Sequence, residues 1–72
     1  MDKMPATYVS VSMSTVTRHR MWRVIHRGMP VCADKASMGE ALAVYEEFTS
    51  TRENTIPLWD GDRAEWDTIE SQ

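Results

Sequence analysis

The chain has 72 residues, enough for one small domain with a modest hydrophobic core but too few for two domains. Its composition, 42% hydrophobic and 26% charged residues, is that of a globular protein and excludes disorder through the middle of the chain. The net charge of −3 conceals a basic half, residues 1–36 with six cations and two anions, and an acidic half, residues 37–72 with two cations and nine anions.

The N-terminus, the apolar runs and the cysteine content of the chain indicate the cellular compartment in which we expect the protein. Cys32 is the single cysteine, which excludes an internal disulfide and a zinc site with several thiolates. No apolar run follows the N-terminus or approaches the ~20 residues of a membrane span, so we expect a cytoplasmic protein without membrane contact. Residues 1–72 are predicted to form one domain, with 1–6 and 70–72 frayed. A homodimer would compensate for the small core.

Two strands are predicted in the basic half. Residues 7–14 alternate apolar and hydroxyl-bearing side chains, and this period of two is typical of a half-buried strand. Residues 21–27 form the second strand, in which Trp22 and Val24 share the inner face and Arg23 lies on the outer face with Ile25 and Arg27. The polar residues between these strands are expected to turn the chain.

A helix is predicted to begin at Ser37. Ser37 and Glu40 match the capping box, in which each side chain satisfies a backbone N–H at the helix entry. Apolar side chains then recur at helical spacing, at Met38, Ala41, Leu42, Tyr45 and Phe48. This stripe is expected to pack the helix against the sheet.

The acidic half is predicted to close with a β-hairpin over residues 56–69. A loop of three residues, 60–62, pairs apolar with apolar on the inner face, Leu58 with Ala64 and Ile56 with Trp66. Trp59 then lies opposite Arg63 on the outer face, within reach of a cation–π contact. Since Pro57 cannot donate a ladder hydrogen bond, its strand is expected at an edge. The elements together predict an α+β fold of order ββαββ, a small antiparallel sheet with one helix packed on one face.

The residue types needed for catalysis are present but are not brought together by the sequence. Nucleophilic catalysis needs a nucleophile, a base and an orienting group, and the candidates Cys32, His19 and His26 share no recognisable spacing. They match no common zinc spacing either, and the segment Asp60-Gly61-Asp62 lacks the other ligands of a calcium loop. We therefore predict no enzyme activity, no catalytic residue, no metal and no cofactor.

The basic half offers one candidate surface. Arginines crowd around the second predicted strand next to Trp22, and such residues neutralise phosphates while an aromatic ring can stack on an unpaired base. The candidate nucleic-acid-binding residues are Arg18, Arg20, Arg23 and Arg27. Against direct nucleic-acid binding stands the isoelectric point of about 5.2, because nucleic-acid-binding domains are usually basic overall.

The acidic half offers a second candidate surface, which we favour. Its members are predicted to form a negative face with an aromatic anchor, an arrangement typical of protein-binding hot spots. The candidate partner-binding residues are Glu46, Glu47, Trp59, Asp60, Asp62, Glu65 and Asp67. A solvated face that only keeps the chain dissolved is the simpler alternative.

Three segments carry a resemblance to a known group of proteins: the strand 21–27, the capped helix start 37–42 and the closing hairpin 56–62. In length, acidity and layout the chain resembles anti-CRISPR miniproteins of phages and mobile elements. The resemblance implies a phage-derived inhibitor that acts in the host cytoplasm, binds a defence nucleoprotein and blocks access to nucleic acid or to a nuclease site. That group shares no common motif, so no functional residue is carried over from it.

These features are compatible with three functions. The leading hypothesis is a non-enzymatic inhibitor that masks a basic surface of a host protein with its acidic face. The first alternative is a nucleic-acid-binding module that uses the basic strand, and the second is a self-associating structural protein in which the basic and acidic halves of two protomers meet.

Overall fold

The computed structural model describes residues 5–50 and 55–70, which form one helix and a five-stranded mixed sheet. The elements, in chain order, are β1 (Thr7–Met13), β2 (Arg20–His26), β3 (Met29–Pro30), α1 (Met38–Thr49), β4 (Thr55–Asp60) and β5 (Glu65–Glu70). The sheet order is β3-β2-β1-β4-β5. The predicted α+β class is confirmed. In the part of the chain that the structure describes, no helix is long and apolar enough to cross a lipid bilayer.

The predicted order ββαββ is wrong in one element, because a short strand precedes the helix. Arg27 and Gly28 both have positive φ, 51° and 82°, the backbone that tight two-residue hairpins require. The chain therefore folds straight back, and β3 pairs with the end of β2 through Ile25↔Pro30 and His26↔Met29.

The prediction of an all-antiparallel sheet is also wrong, because β1 and β4 run parallel. After β2 the chain crosses α1 and returns beside the free edge of β1, with Val9 opposite Leu58 and Val11 opposite Asp60. β1 thereby becomes the central strand. This position suits its sequence, since Val9 and Val11 are buried on one face and Tyr8 on the other.

The hydrophobic core lies between the sheet and the helix. Val9, Val24 and Ile56 are fully buried there, and Ala41 and Tyr45 reach them from the helix. The predicted alternation in β1 holds for its two core valines, whereas Met13, at the strand end, is 51% exposed. The helix packs over β1 and β2, so the outer part of the sheet, β5, extends beyond it.

The predicted helix start is confirmed. Ser37 is the N-cap, and its hydroxyl oxygen accepts a hydrogen bond from the Glu40 N–H at 3.3 Å. The Ser37 hydroxyl in turn donates to the Glu40 carboxylate at 3.1 Å, so the second bond predicted for the capping box, from the Ser37 backbone N–H to Glu40, is replaced by one between the two side chains. The helix ends at Ser50, which has a left-handed backbone and donates its N–H to the Glu46 carbonyl.

The predicted register of the closing hairpin is wrong. The loop has four residues, 61–64, rather than three, and the strands pair Ile56 with Ile69 and Trp59 with Trp66. Two buried isoleucines thus meet on the core face, which stabilises this register over one with Trp66 turned inward. Ala64 accepts a left-handed backbone with φ of 54° to close the loop, so it is exposed in the turn and does not pair with Leu58.

The expectation that Pro57 marks an edge strand is wrong as well, since β4 lies between β1 and β5. The Gly61 N–H donates to the Val11 carbonyl at 2.8 Å, so alternate residues 57 and 59 also direct their backbone groups toward β1. The missing N–H of Pro57 therefore faces β1 just before the parallel pairing begins at Leu58. No hydrogen bond between β4 and β5 is lost.

Of the ends predicted to be frayed, 1–6 and 70–72, the structure describes residues 5, 6 and 70. Residues 1–4 and 71–72 lie outside the described residues. Within them, the Ala6 carbonyl accepts a hydrogen bond from the Arg27 N–H at 2.8 Å, and Glu70 pairs with Thr55 as the last residue of β5.

The close approach of the hairpin loop to β1 predicts a large effect of a methyl group at Gly61. A Cβ there would lie 3.2 Å from the Ser12 Cβ and 3.2 Å from the Val11 carbonyl oxygen. We expect Gly61→Ala to lower the free energy of unfolding by about 1–3 kcal/mol, as overpacking does. Urea denaturation followed by circular dichroism measures this value.

Gly39→Ala is the matched control. A Cβ at Gly39 would meet nothing within 4 Å, and the residue lies in the first turn of α1. Alanine should raise the free energy of unfolding by about 0.5–1 kcal/mol because it loses less backbone entropy in a helix. Equal effects of the two substitutions would contradict the docking of the loop on β1.

Candidate functional site

The strand order places the basic and acidic strands of the chain on different sides of the sheet. The basic strand β2 and the acidic hairpin β4–β5 lie on opposite sides of β1, and β1 carries no charged residue. The helix departs from this pattern, since it brings Glu40, Glu46 and Glu47 but no cation over β1 and β2. The acidic hairpin is thus the region where negative charge is concentrated without cations from β2.

Two predicted site residues, Asp60 and Asp62, hold the hairpin loop. The Asp60 carboxylate oxygen Oδ1 accepts hydrogen bonds from the N–H groups of Asp62 at 3.0 Å and Arg63 at 3.2 Å. The Asp62 Oδ1 accepts from the Met13 N–H at 3.1 Å and so ties the loop to the end of β1. These carboxylates are committed to turn chemistry and to loop docking.

Two other predicted site residues, Glu65 and Asp67, project from β5 on the helix side of the sheet, where the helix does not cover them. Asp60 and Glu65 are directly opposite in the ladder, and like charges in that relation destabilise a sheet. The Glu65 side chain is 58% exposed and reaches Arg63 at 3.5 Å, a length that gives little stabilisation at the surface. The hairpin therefore holds an excess of negative charge.

Trp59, the predicted anchor, lies on the opposite face of the hairpin from these carboxylates. Its ring contacts Trp66 at a centroid distance of 5.0 Å, and Trp66 contacts Tyr8 edge-on at 4.9 Å. The expected contact between Trp59 and Arg63 is wrong, because the four-residue loop places Trp66 in that position and leaves Arg63 in the turn. We call Tyr8, Trp59 and Trp66 the aromatic cluster.

The sequence interpretation missed Trp66 and Tyr8 as members of this surface. Trp66 is 42% exposed, the most accessible ring of the aromatic cluster. The position of Ile69 could have indicated that Trp66 belongs to this surface. When Ile69 pairs with Ile56 on the core face, the alternation of side chains along β5 places Trp66 on the other face. Beside Trp66 runs an open, mostly apolar groove of about 330 Å³, lined by Pro5, Thr55, Pro57, Trp66, Asp67 and Thr68.

The remaining predicted members of the acidic surface, Glu46 and Glu47, are not brought to the hairpin. Both lie in the last turn of α1, above β1 and β2, and β4 separates these strands from β5. Glu47 is exposed beside Phe48 and Val31, and Glu46 is half-buried with its carbonyl engaged by Ser50. The predicted acidic face is thus divided between the helix and the hairpin.

The basic residues do not form one ridge. Arg18 lies in the turn before β2, Arg20 is the first residue of that strand, and Arg27 lies in the turn after its end, about 20 Å from Arg20 at the usual rise of a strand. Arg23 lies between them on the face without the helix, where its guanidinium pairs with Asp34 at 3.0 Å. The expectation that Arg23 and Arg27 share a strand face is wrong, because Arg27 belongs to the β2–β3 turn.

The residue types considered for catalysis remain apart. His26 Nδ1 lies 2.7 Å from the Thr7 hydroxyl and its ring packs edge-on against Phe48, which is a structural role. Cys32 is half-buried at the core margin and His19 is exposed before β2. In residues 5–50 and 55–70, no group of three or more His, Cys, Asp or Glu side chains could hold a metal ion.

Comparison with known proteins gives no match. No protein-family model, no curated protein and no solved structure is significantly similar to this chain. The candidate site therefore depends on the chemistry of its own residues.

The role of Asp60 in the loop can be separated from any role of its charge. Asp60→Ala removes the acceptor of two backbone N–H groups, and we expect it to lower the free energy of unfolding by about 1 kcal/mol. Asp60→Asn keeps an oxygen acceptor and removes the repulsion with Glu65, so it should be at least as stable as the parent chain. Thermal unfolding measures both, and equal losses in the two variants would contradict this role.

Proposed function

We propose that this chain is a non-enzymatic binding protein that uses the edge of its acidic hairpin to occupy a basic surface of a partner protein. The observation that carries the proposal is the excess negative charge of β5 beside an exposed tryptophan. Glu65 and Asp67 are exposed on one face, and Trp66 is exposed on the other. Carboxylates attract lysine and arginine, while a tryptophan ring offers a large contact area and a surface for a guanidinium.

The charge distribution supports a basic partner in preference to an acidic one. A cationic surface would relieve the repulsion between Asp60 and Glu65, which the 3.5 Å contact with Arg63 does little to offset. The same negative field would increase the rate of encounter with a basic partner and repel nucleic acid from the hairpin.

The consequence for the partner is inhibition by occupancy. Basic surfaces that bind phosphates are common on nucleic-acid-binding proteins and nucleases, and an acidic hairpin seated there would exclude the nucleic acid. An inhibitor of a host defence complex, of the anti-CRISPR kind, is the form of this function that the layout of the sequence suggests. The nucleic-acid-binding alternative has less support, since its four arginines are dispersed and Arg23 is paired with Asp34.

A pair of charge-reversal variants tests the proposal. We expect Glu65→Lys/Asp67→Lys to abolish capture of basic proteins from an extract of the native host. The control Glu46→Lys/Glu47→Lys carries the same change of charge on the helix and should capture the same proteins as the parent chain. Mass spectrometry identifies what is retained, and circular dichroism confirms that each variant is folded.

Release by nucleic acid adds a second measurement. A DNA oligonucleotide should displace the proteins bound to the parent chain, because both compete for the same basic surface. Equal retention by all three immobilised proteins, or retention that neither salt nor the oligonucleotide reduces, would contradict the proposal.

A further inference from the structure

β5 is an edge strand, and its outer side is paired with no strand in the described part of the chain. The backbone groups that face outward follow from the register. Since residues 57, 59 and 61 direct their backbone groups toward β1, residues 56, 58 and 60 direct theirs toward β5. Their partners Glu65, Asp67 and Ile69 face inward, so Trp66, Thr68 and Glu70 present their N–H and C=O groups to the outside.

The side chain of Asp67 gives independent support for this assignment. Its Oδ1 accepts a hydrogen bond from the Thr68 N–H at 2.8 Å. An N–H engaged in the ladder with β4 would not be available to that carboxylate. The central donor of the open edge is thus covered by a single exposed side chain, which a partner's carbonyl group can displace.

The edge also explains how the two parts of the candidate site can act together although they lie on opposite faces. A strand added to β5 alternates its own side chains between the two faces of the extended sheet. On the helix side they would meet Glu65 and Asp67, and on the other side they would meet Trp66 and the groove beside Pro57.

We propose that the outer edge of β5 binds an extended segment of the partner protein as a sixth strand, with basic residues facing Glu65 and Asp67 alternating with apolar residues facing Trp66. The proposal builds on the function proposed above and specifies how the basic partner is recognised. Main-chain hydrogen bonds to Trp66, Thr68 and Glu70 provide affinity, and the alternation of charge and apolar surface provides specificity. The displaced Asp67 carboxylate then pairs with a basic side chain of the added strand.

A second copy of the chain fits this edge less well. Two β5 strands side by side would bring the carboxylates of Glu65, Asp67 and Glu70 from both copies together, and acidic edge residues of this kind oppose edge-to-edge association. A basic, alternating segment has the complementary charge.

The probe is a fluorescent seven-residue peptide in which arginine alternates with valine, and fluorescence anisotropy measures its dissociation constant. Thr68→Pro removes the central outward N–H without changing charge or a bond to β4, and we expect it to weaken binding at least tenfold. Thr68→Ala keeps that N–H and shortens the same side chain, so it should weaken binding much less than Thr68→Pro. Glu65→Lys/Asp67→Lys should also weaken binding at least tenfold.

Two further peptides test the backbone directly. In an antiparallel sixth strand the valines lie opposite Trp66, Thr68 and Glu70, so N-methylation of the valines should abolish binding while N-methylation of the arginines should not. The reverse result indicates a parallel sixth strand and also supports strand addition. If both methylated peptides bind as tightly as the unmodified peptide, the proposal of strand addition is wrong.

Amide hydrogen exchange on the unmodified protein avoids any variant that fails to fold. The peptide should slow exchange at Trp66, Thr68 and Glu70 at least tenfold, with little change at Glu65, Asp67 and Ile69. Protection of the outer three without peptide, rising with protein concentration, would show a second copy at this edge and overturn the proposal.

The outcomes separate the two proposals. If Thr68→Pro binds like Thr68→Ala while the charge-reversal variant binds weakly, strand addition is wrong and the acidic binding surface stands. If the charge-reversal variant also binds the peptide and captures host proteins like the parent chain, both proposals fail.

Discussion

The fold depends on the placement of β1 at the centre of the sheet. β1 forms hydrogen bonds to β2 on one side and to β4 on the other, and it buries Val9 toward the helix and Tyr8 toward the opposite face. A small domain has few strands with apolar residues on both faces. Such a strand is most stable at the centre of the sheet, where both of its faces are covered. The parallel pairing with β4 occupies the second side of β1 and fixes where the acidic hairpin lies.

Features that depend on neighbouring residues could be predicted from the sequence. The N-cap at Ser37 and the inward alternation of Val9 and Val11 in β1 each follow from spacing within a few positions, and both are present. The parallel pairing of β1 with β4 could not be predicted in the same way, since it joins segments about fifty residues apart and no local pattern specifies it.

The register of the hairpin β4–β5 differs from the one predicted from the local pattern of apolar residues. Trp66 and Ile69 are both apolar and lie an odd number of positions apart, so only one of them can face the core. The predicted register places Trp66 inward because it then pairs with the apolar Ile56. The structure buries Ile69 instead, because Trp66 can pack on Tyr8 and Trp59 on the other face. Because Trp66 lies on the face away from the core, it and Tyr8 join Trp59 in the candidate site.

The separation of charge by a neutral strand has a consequence for motion in solution before any contact is made. With Arg20 and Arg23 of β2 toward one side of the sheet and the carboxylates of β4 and β5 toward the other, the sheet contributes an electric dipole moment that lies across its strands. In the field of a cationic surface such a body experiences a torque, so it rotates until the hairpin leads and β2 trails. The molecule would arrive already oriented, and dilute buffer would preserve that alignment over a longer range than concentrated salt.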